Sequence, residues 1–300
     1  MTKLVALAAL SATLLAAQFK YPPAIPDASN VETYKSVDGT DLKLWIFEPK
    51  GHKAGDQTPA IVFFFGGGWR GGSPTQFLEQ SRYLASRGMV AMLADYRVAS
   101  RNHVTADKCV EDAKAAMRYV RHNAKRLGID PNRLAAGGGS AGGHLAAAVA
   151  TLPGHDGPAV DLDVSPVPNA LALFNPAVVL APAPGFEAIV KSIDGLEARM
   201  GAPLETMSPY HNVRAGLPPT IIFHGKADTT VPYSTVVAFC KAMQDKGARC
   251  ELEGYEGQAH GFFNYGRNDN VPYRDTVRKM DEFFHSLGWL KGQPTIEATE

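Results

Sequence analysis

Short apolar runs alternate with amphipathic stretches along most of the chain. Val31–Val37 and Leu42–Phe47 alternate apolar and polar residues around Asp38-Gly39, which predicts an antiparallel hairpin. Beyond it the period changes. Ala60–Phe65, Val90–Ala94, Leu134–Ala136, Ala170–Phe174, Thr220–Phe223 and Cys250–Tyr255 read as buried strands. Helical patterns follow most of them, over Gln76–Ser86, Asp107–Leu127, Ala141–Ala150, Ser234–Asp245 and Pro272–Ser286. Repeated βα units imply a mostly parallel, doubly wound α/β sheet in one domain. A Pro- and Gly-rich stretch at about 176–210 breaks the rhythm. Because it follows a strand, it reads as a small insertion over the carboxyl edge of the sheet.

The first 17 residues are excluded from that domain, which is taken as 18–300. MTKLVALAALSATLLAA sets one Lys before a Leu/Ala run, the pattern of a secretory signal, and the run is short of the roughly 20 residues that span a bilayer. The other reading is a first buried helix. A signal implies a periplasmic or secreted protein, with no stable membrane anchor expected.

Composition narrows the function. Thirty Lys+Arg balance thirty Asp+Glu, so no long-range field would gather nucleic acid. Three cysteines are too few for a disulfide scaffold. In an oxidising compartment Cys240 and Cys250, placed across a helix-turn-strand connection, are the candidate pair, with no bridge as the alternative. Cys109 falls on the apolar face of a helical pattern and reads as a buried small residue.

The chemistry concentrates at Gly138-Gly139-Ser140-Ala141-Gly142, a G-x-S-x-G run between a strand and an Ala-rich helix. That context sets a serine hydroxyl on a tight turn at a helix N-terminus, where it acts as a nucleophile. Gly137, Gly139 and Gly142 also fit the loose dinucleotide pattern G-x-G-x-x-G, as do Gly66, Gly68 and Gly71. Neither hit is followed by the required acidic strand end, so no cofactor is inferred. A serine needs a base, and the base needs an orienting acid. Of nine histidines, only His260 and His285 come late enough in the chain. His285 lies in an amphipathic terminal helix, whereas His260 occupies a short loop after the last strand. Asp228 closes the loop after Thr220–Phe223 and is the expected orienter. Gly67 and Gly68, after a buried strand, with the N–H of Ala141, are the expected oxyanion hole. Trp69, Arg70 and Phe262 flank these atoms and are expected substrate contacts, although packing would also account for the aromatics. The remaining histidines show no ligand spacing, so no metal is inferred.

These residues together resemble the α/β-hydrolase family, and within it the small esterases related to hormone-sensitive lipase and to bifunctional feruloyl/acetyl xylan esterases. Gly66-Gly67-Gly68-Trp69, Asp95-Tyr96-Arg97, Gly139-Ser140-Ala141-Gly142-Gly143-His144, His224-Gly225 with Asp228, and His260-Gly261-Phe262 carry the likeness over about residues 60–288. Relatives usually place His before the glycine run. Phe65 stands there instead, which questions the stiffness of that loop. Gly139 before the serine tilts the likeness toward the acetyl xylan esterase side. The scaffold reading assigns an Arg97–Asp112 ion pair, a packed structural His144, and a His224 that fixes the acid loop.

The expectation is a serine carboxylic-ester hydrolase that works through an acyl-enzyme on short acyl esters, with an acylated carbohydrate as the expected partner. Rival readings are a peptidase or formamidase on the same scaffold and a catalytically silent binding module. The sequence leaves oligomeric state and the exact alcohol open.

Overall fold

The computed structural model describes residues 21–157, 162–191 and 195–297; the leader read over 1–17 lies outside them. Eight strands form one sheet: β1 (Asn30–Val37), β2 (Thr40–Phe47), β3 (Thr58–Phe64), β4 (Val90–Ala94), β5 (Ile129–Gly139), β6 (Ala170–Phe174), β7 (Thr220–Gly225) and β8 (Cys250–Tyr255). Their spatial order is β1-β2-β4-β3-β5-β6-β7-β8. β1 and β2 pair antiparallel around a turn at Asp38 and Gly39, both with positive φ, and β2 joins β4 antiparallel. The other pairs are parallel.

Nine α-helices occur among the described residues: α1 (Leu78–Ser86), α2 (Ala99–Asn102), α3 (Ala106–His122), α4 (Ala141–Thr151), α5 (Glu187–Lys191), α6 (Leu196–Met200), α7 (Leu204–Met207), α8 (Tyr233–Asp245) and α9 (Val271–Ser286). The strands alternate sides strictly. Val62, Phe64, Met92, Leu134, Leu173 and Ile222 pack on one face with α3, α4 and α8. Ile61, Phe63, Leu93, Ala135, Phe174 and Phe223 pack on the other with α1 and α9. Burial on both faces is why these strands read as unbroken apolar runs.

The strand order decides where a site forms. After β3 the chain turns through α1 to β4, on one side of β3; after β5 it turns through α4 to β6, on the opposite side. The loops leaving β3 and β5 therefore diverge, and a crevice opens between them at the carboxyl ends of adjacent strands. The segment that the sequence marks as an insertion carries α5, α6 and α7 and packs back on this edge. The backbone at Gly201 lies so close to Thr105 that a Cβ there would meet its Oγ1 at 2.3 Å.

The candidate cross-link is present: Cys240 in the second half of α8 and Cys250 at the start of β8 form a disulfide, with Cα atoms 5.5 Å apart. Cys109 is a buried free thiol. Arg97 meets Asp112 as the sequence predicts, through two side-chain bonds of 2.9 and 3.0 Å.

Candidate active site

Ser140 joins β5 to α4 with φ 54° and ψ −118°, a left-handed conformation for a residue with a side chain. Its N–H donates to Phe174 O at 2.9 Å, which fixes the turn to β6. The turn requires small neighbours. A Cβ on Gly142 would meet Phe64 O at 2.0 Å and Phe65 O at 2.4 Å, so α4 leaves the sheet only because that position is glycine. Strain held at one residue by such packing is characteristic of a nucleophile turn.

His260 lies in the loop after β8, and its Nε2 is 2.9 Å from Ser140 Oγ. Its Nδ1 is 2.7 Å from Asp228 Oδ2. The remaining carboxylate oxygen, Oδ1, accepts the N–H groups of Thr230 at 2.8 Å and Val231 at 2.9 Å. His224 is wholly buried. Its Nε2 sits 2.8 Å from Val231 O and 3.3 Å from Asp228 Oδ2, so that nitrogen carries the proton and pins the acid loop, as expected. Burial pushes the Asp228 carboxyl up, but bonds from His224, His260 and the Val231 amide outweigh it and hold the group well below the usual carboxylate range.

The loop after β3 lies against the nucleophile turn. A Cβ on Gly66 would meet Gly139 O at 2.8 Å and Ser140 Cβ at 3.2 Å. The Gly66 N–H donates to Gln76 Oε1 at 2.6 Å. Gly67 O accepts from the N–H groups of Arg70 at 3.0 Å and Gly71 at 3.2 Å, and Gly67 has φ 134°. The N–H groups of Gly67, Gly68 and Ala141 make no turn, loop or cap bond among the described residues.

A serine hydroxyl, an imidazole and an ionised carboxylate in one hydrogen-bonded line, beside unengaged amides, is the arrangement that acyl-transfer chemistry requires. Residues 61–264 match the family described as alpha/beta hydrolase fold. The chain belongs to that family.

This α/β-hydrolase is also a carboxylesterase. It is 50% identical to Thermogutta terrifontis esterase 2, whose apo structure it matches with a TM-score of 0.87 over 91% of this chain and 100% of that one. The same esterase solved with propionate bound gives a TM-score of 0.86, at 50% identity over 91% and 99% of the two chains. The carboxylesterase NlhH of Mycobacterium tuberculosis is 29% identical over 267 residues, 83% of this chain and 80% of that protein.

Within this family Phe65 replaces an expected histidine, and the structure shows what stiffens the loop in its place. The Phe65 ring stacks on Tyr96 with centroids 4.1 Å apart, and Tyr96 Oη donates to Phe65 O at 2.6 Å. Gly72 also packs against it, where a Cβ would meet the ring at 2.5 Å. Arg101, reaching back from α2, donates to Gly72 O at 2.9 Å.

His144 is fully buried, as the sequence expects, and it does more than fill space. Its Nδ1 accepts from Trp69 Nε1 at 3.2 Å and its Nε2 lies 2.8 Å from Met207 O. One ring thus ties α4 to the glycine loop and to the inserted segment. Burial lowers its pKa to about 4, which keeps the imidazole neutral and Nδ1 free to accept.

The expected substrate contacts divide. Arg70 is exposed and Trp69 is buried at 5% exposure, and both line a cavity of about 530 Å³ with His103, Thr105 and Arg199. Phe262 is a correction. It is only 2% exposed and packs against Tyr255, 4.8 Å between centroids, in the core on the α1 and α9 side. His260 and Phe262 lie two residues apart, but positive φ at Gly261 turns the chain, so the ring enters the core while the imidazole meets Ser140.

Sequence reasoning missed three amide side chains. Asn175 Oδ1 accepts the Gly261 N–H at 3.0 Å, Gln76 Nε2 donates to Asn264 Oδ1 at 3.0 Å, and Asn264 Nδ2 donates to Gly261 O at 2.8 Å. Isolated amide side chains carry no local signal. Among the described residues no group of His, Cys, Asp or Glu is arranged to hold a metal ion, and no helix is long and apolar enough to cross a membrane.

Proposed function

We propose that Ser140, His260 and Asp228 are the catalytic triad of a carboxylesterase that prefers short acyl groups on carbohydrate-linked alcohols. The carrying observation is the line from Ser140 Oγ through His260 to Asp228, at 2.9 and 2.7 Å. His260 Nε2 takes the serine proton as Oγ attacks the ester carbonyl, while ionised Asp228 holds the Nδ1–H tautomer and stabilises the imidazolium. The N–H groups of Gly67, Gly68 and Ala141 receive the developing oxyanion. The imidazolium returns its proton to the leaving alcohol, and water repeats the sequence on the acyl-enzyme.

The acyl preference draws support from Thermogutta terrifontis esterase 2, solved with propionate and with butyrate bound. The carbohydrate side draws support from the cavity beside Trp69, where Arg70, His103 and Thr105 offer the kind of hydrogen-bonding groups that suit a polyhydroxylated alcohol. Export, read from the leader, is supported by the Cys240–Cys250 disulfide, which belongs in an oxidising compartment.

Specificity constants for acetyl, propionyl, butyryl, octanoyl and feruloyl esters, with acetate release from xylan fragments and an amide analogue in parallel, test the reading. The optimum is expected at or below four carbons, with deacetylation of the fragments. An optimum at eight carbons or a preference for the amide refutes it. Ser140→Ala should lose on the order of a millionfold in turnover, and retention above about one hundredth overturns the triad.

A further inference from the structure

The loop that would receive the oxyanion and the loop that holds the base belong to distant parts of the chain, yet one continuous chain of side-chain amides joins them. It begins at the Gly66 N–H, which donates to Gln76 Oε1 at 2.6 Å. Gln76 Nε2 donates to Asn264 Oδ1 at 3.0 Å, and Asn264 Nδ2 donates to Gly261 O at 2.8 Å. The ends fix the direction. An N–H at one end and a carbonyl at the other leave a single orientation for both amides, because flipping either sets donor against donor or acceptor against acceptor.

Each end abuts the reacting groups. Gly66 precedes the two glycines with unengaged N–H groups, and Gly261 follows His260. Gly261 is held from the other side as well. Its N–H donates to Asn175 Oδ1 at 3.0 Å, and the Asn175 N–H donates to Phe223 O at 2.7 Å. The two asparagines therefore grip both polar groups of the residue next to the imidazole. A Cβ at Gly261 would meet Asn264 Nδ2 at 2.9 Å, so the approach requires glycine.

We propose that Gln76 and Asn264 are positioning residues: together they set the distance between the amides that receive the oxyanion and the imidazole that transfers the proton. The inference rests on the roles of Ser140, His260 and Gly67–Gly68 given above. Both reacting groups must meet one tetrahedral carbon, and errors of a few tenths of an ångström in their separation act on the transition state more than on the bound ester. Gln76 and Asn264 are links in series, so loss of either opens the whole chain.

The test compares Gln76→Met, Asn264→Ala, the double variant and Gln76→Glu with the parent on a p-nitrophenyl propionate substrate, with Ser140→Ala as control. Each single change should lower kcat about 10- to 50-fold and leave KM within about twofold, less than the roughly 100- to 1000-fold of deleting a direct donor. The double variant should be no more than about threefold worse than the poorer single, because one chain cannot be opened twice. Binding of a trifluoromethyl ketone, whose serine adduct carries the oxyanion, should weaken in proportion to kcat/KM, while inhibition by propionate stays unchanged. Gln76→Glu keeps the shape and the acceptor for Gly66 but donates to Asn264 only when protonated. Its activity relative to the parent should therefore climb as pH falls toward the carboxylic range.

Single variants with kcat within twofold of the parent, losses that multiply in the double, effects confined to KM, or a Gln76→Glu protein as active as the parent at every pH overturn the inference. A dead Ser140→Ala beside fully active Gln76 and Asn264 variants removes this proposal alone. An active Ser140→Ala removes the triad.

Discussion

His144 makes the stability of the glycine loop measurable through pH. Its ring accepts from Trp69 and donates to Met207 O, and it can do both only while neutral. In the unfolded chain it titrates near 6.5; in the native state burial lowers the value to about 4. Between those values the unfolded chain binds a proton that the native state refuses, so stability rises with pH across the window and is lost as pH falls through it. Linkage puts the loss at about 2 kcal/mol between roughly pH 7.5 and pH 5, where the native ring is still mostly neutral. Asp95 acts in the opposite direction, because burial raises its carboxyl to about 6 and the native state takes up a proton before the unfolded chain does. A single pH curve would therefore mix two contributions. The remedy is His144→Gln, which removes one titration and leaves Asp95 in place. Urea unfolding of both proteins with the disulfide intact, followed by tryptophan fluorescence at several pH values, gives the difference directly. The parent should lose about 2 kcal/mol more than His144→Gln over that interval. Curves that stay parallel within about 0.5 kcal/mol would refute the claim that a neutral, buried His144 braces the loop.

Other substitutions test separate parts of the argument. Asp228→Asn should cost on the order of 10⁴ in turnover, since the acid fixes the imidazole tautomer, and a loss below tenfold would remove it from the proposed triad. Its depressed titration also means that Asp228 stays ionised through the histidine range, so activity should show no acidic limb from this carboxyl above about pH 4. Gly142→Ala drives a methyl into Phe64 O and Phe65 O and should destabilise by about 3 kcal/mol or more; an unchanged melting temperature with full activity would disprove the close approach. Breaking the Cys240–Cys250 bridge by Cys240→Ser should cost about 3 kcal/mol for a loop of this length. Thiol titration of the denatured, unreduced parent should find one reactive cysteine, Cys109, and three would deny the bridge.

The sequence by itself determined the βα alternation, because strands buried on both faces must be apolar throughout and the helices between them must keep one polar side. It determined the nucleophile turn for a local reason too: a strand running straight into a helix through Ser140 needs Gly142 where the backbones touch. Chain order then singled out His260 and Asp228, since on this fold the acid and the base follow the serine in loops after later strands. The same pattern located the 176–210 insertion. Its contact with His144 was decided in space, by a backbone carbonyl whose chemistry no residue type advertises.

Tertiary structure alone decided the rest. Phe262 and His260 share a loop, and nothing in their spacing says that the turn at Gly261 sends the ring into the core. Phe65 suggests a weak loop until Tyr96 and Gly72 are seen packed against its ring. Gln76 and Asn264 lie 188 residues apart and meet where the loop after β8 reaches across to the ends of β5 and its neighbour β3. Periodicity reports which side of a strand or helix is buried. It carries no information on which distant polar groups come within hydrogen-bond reach, and those contacts hold the reacting groups in place.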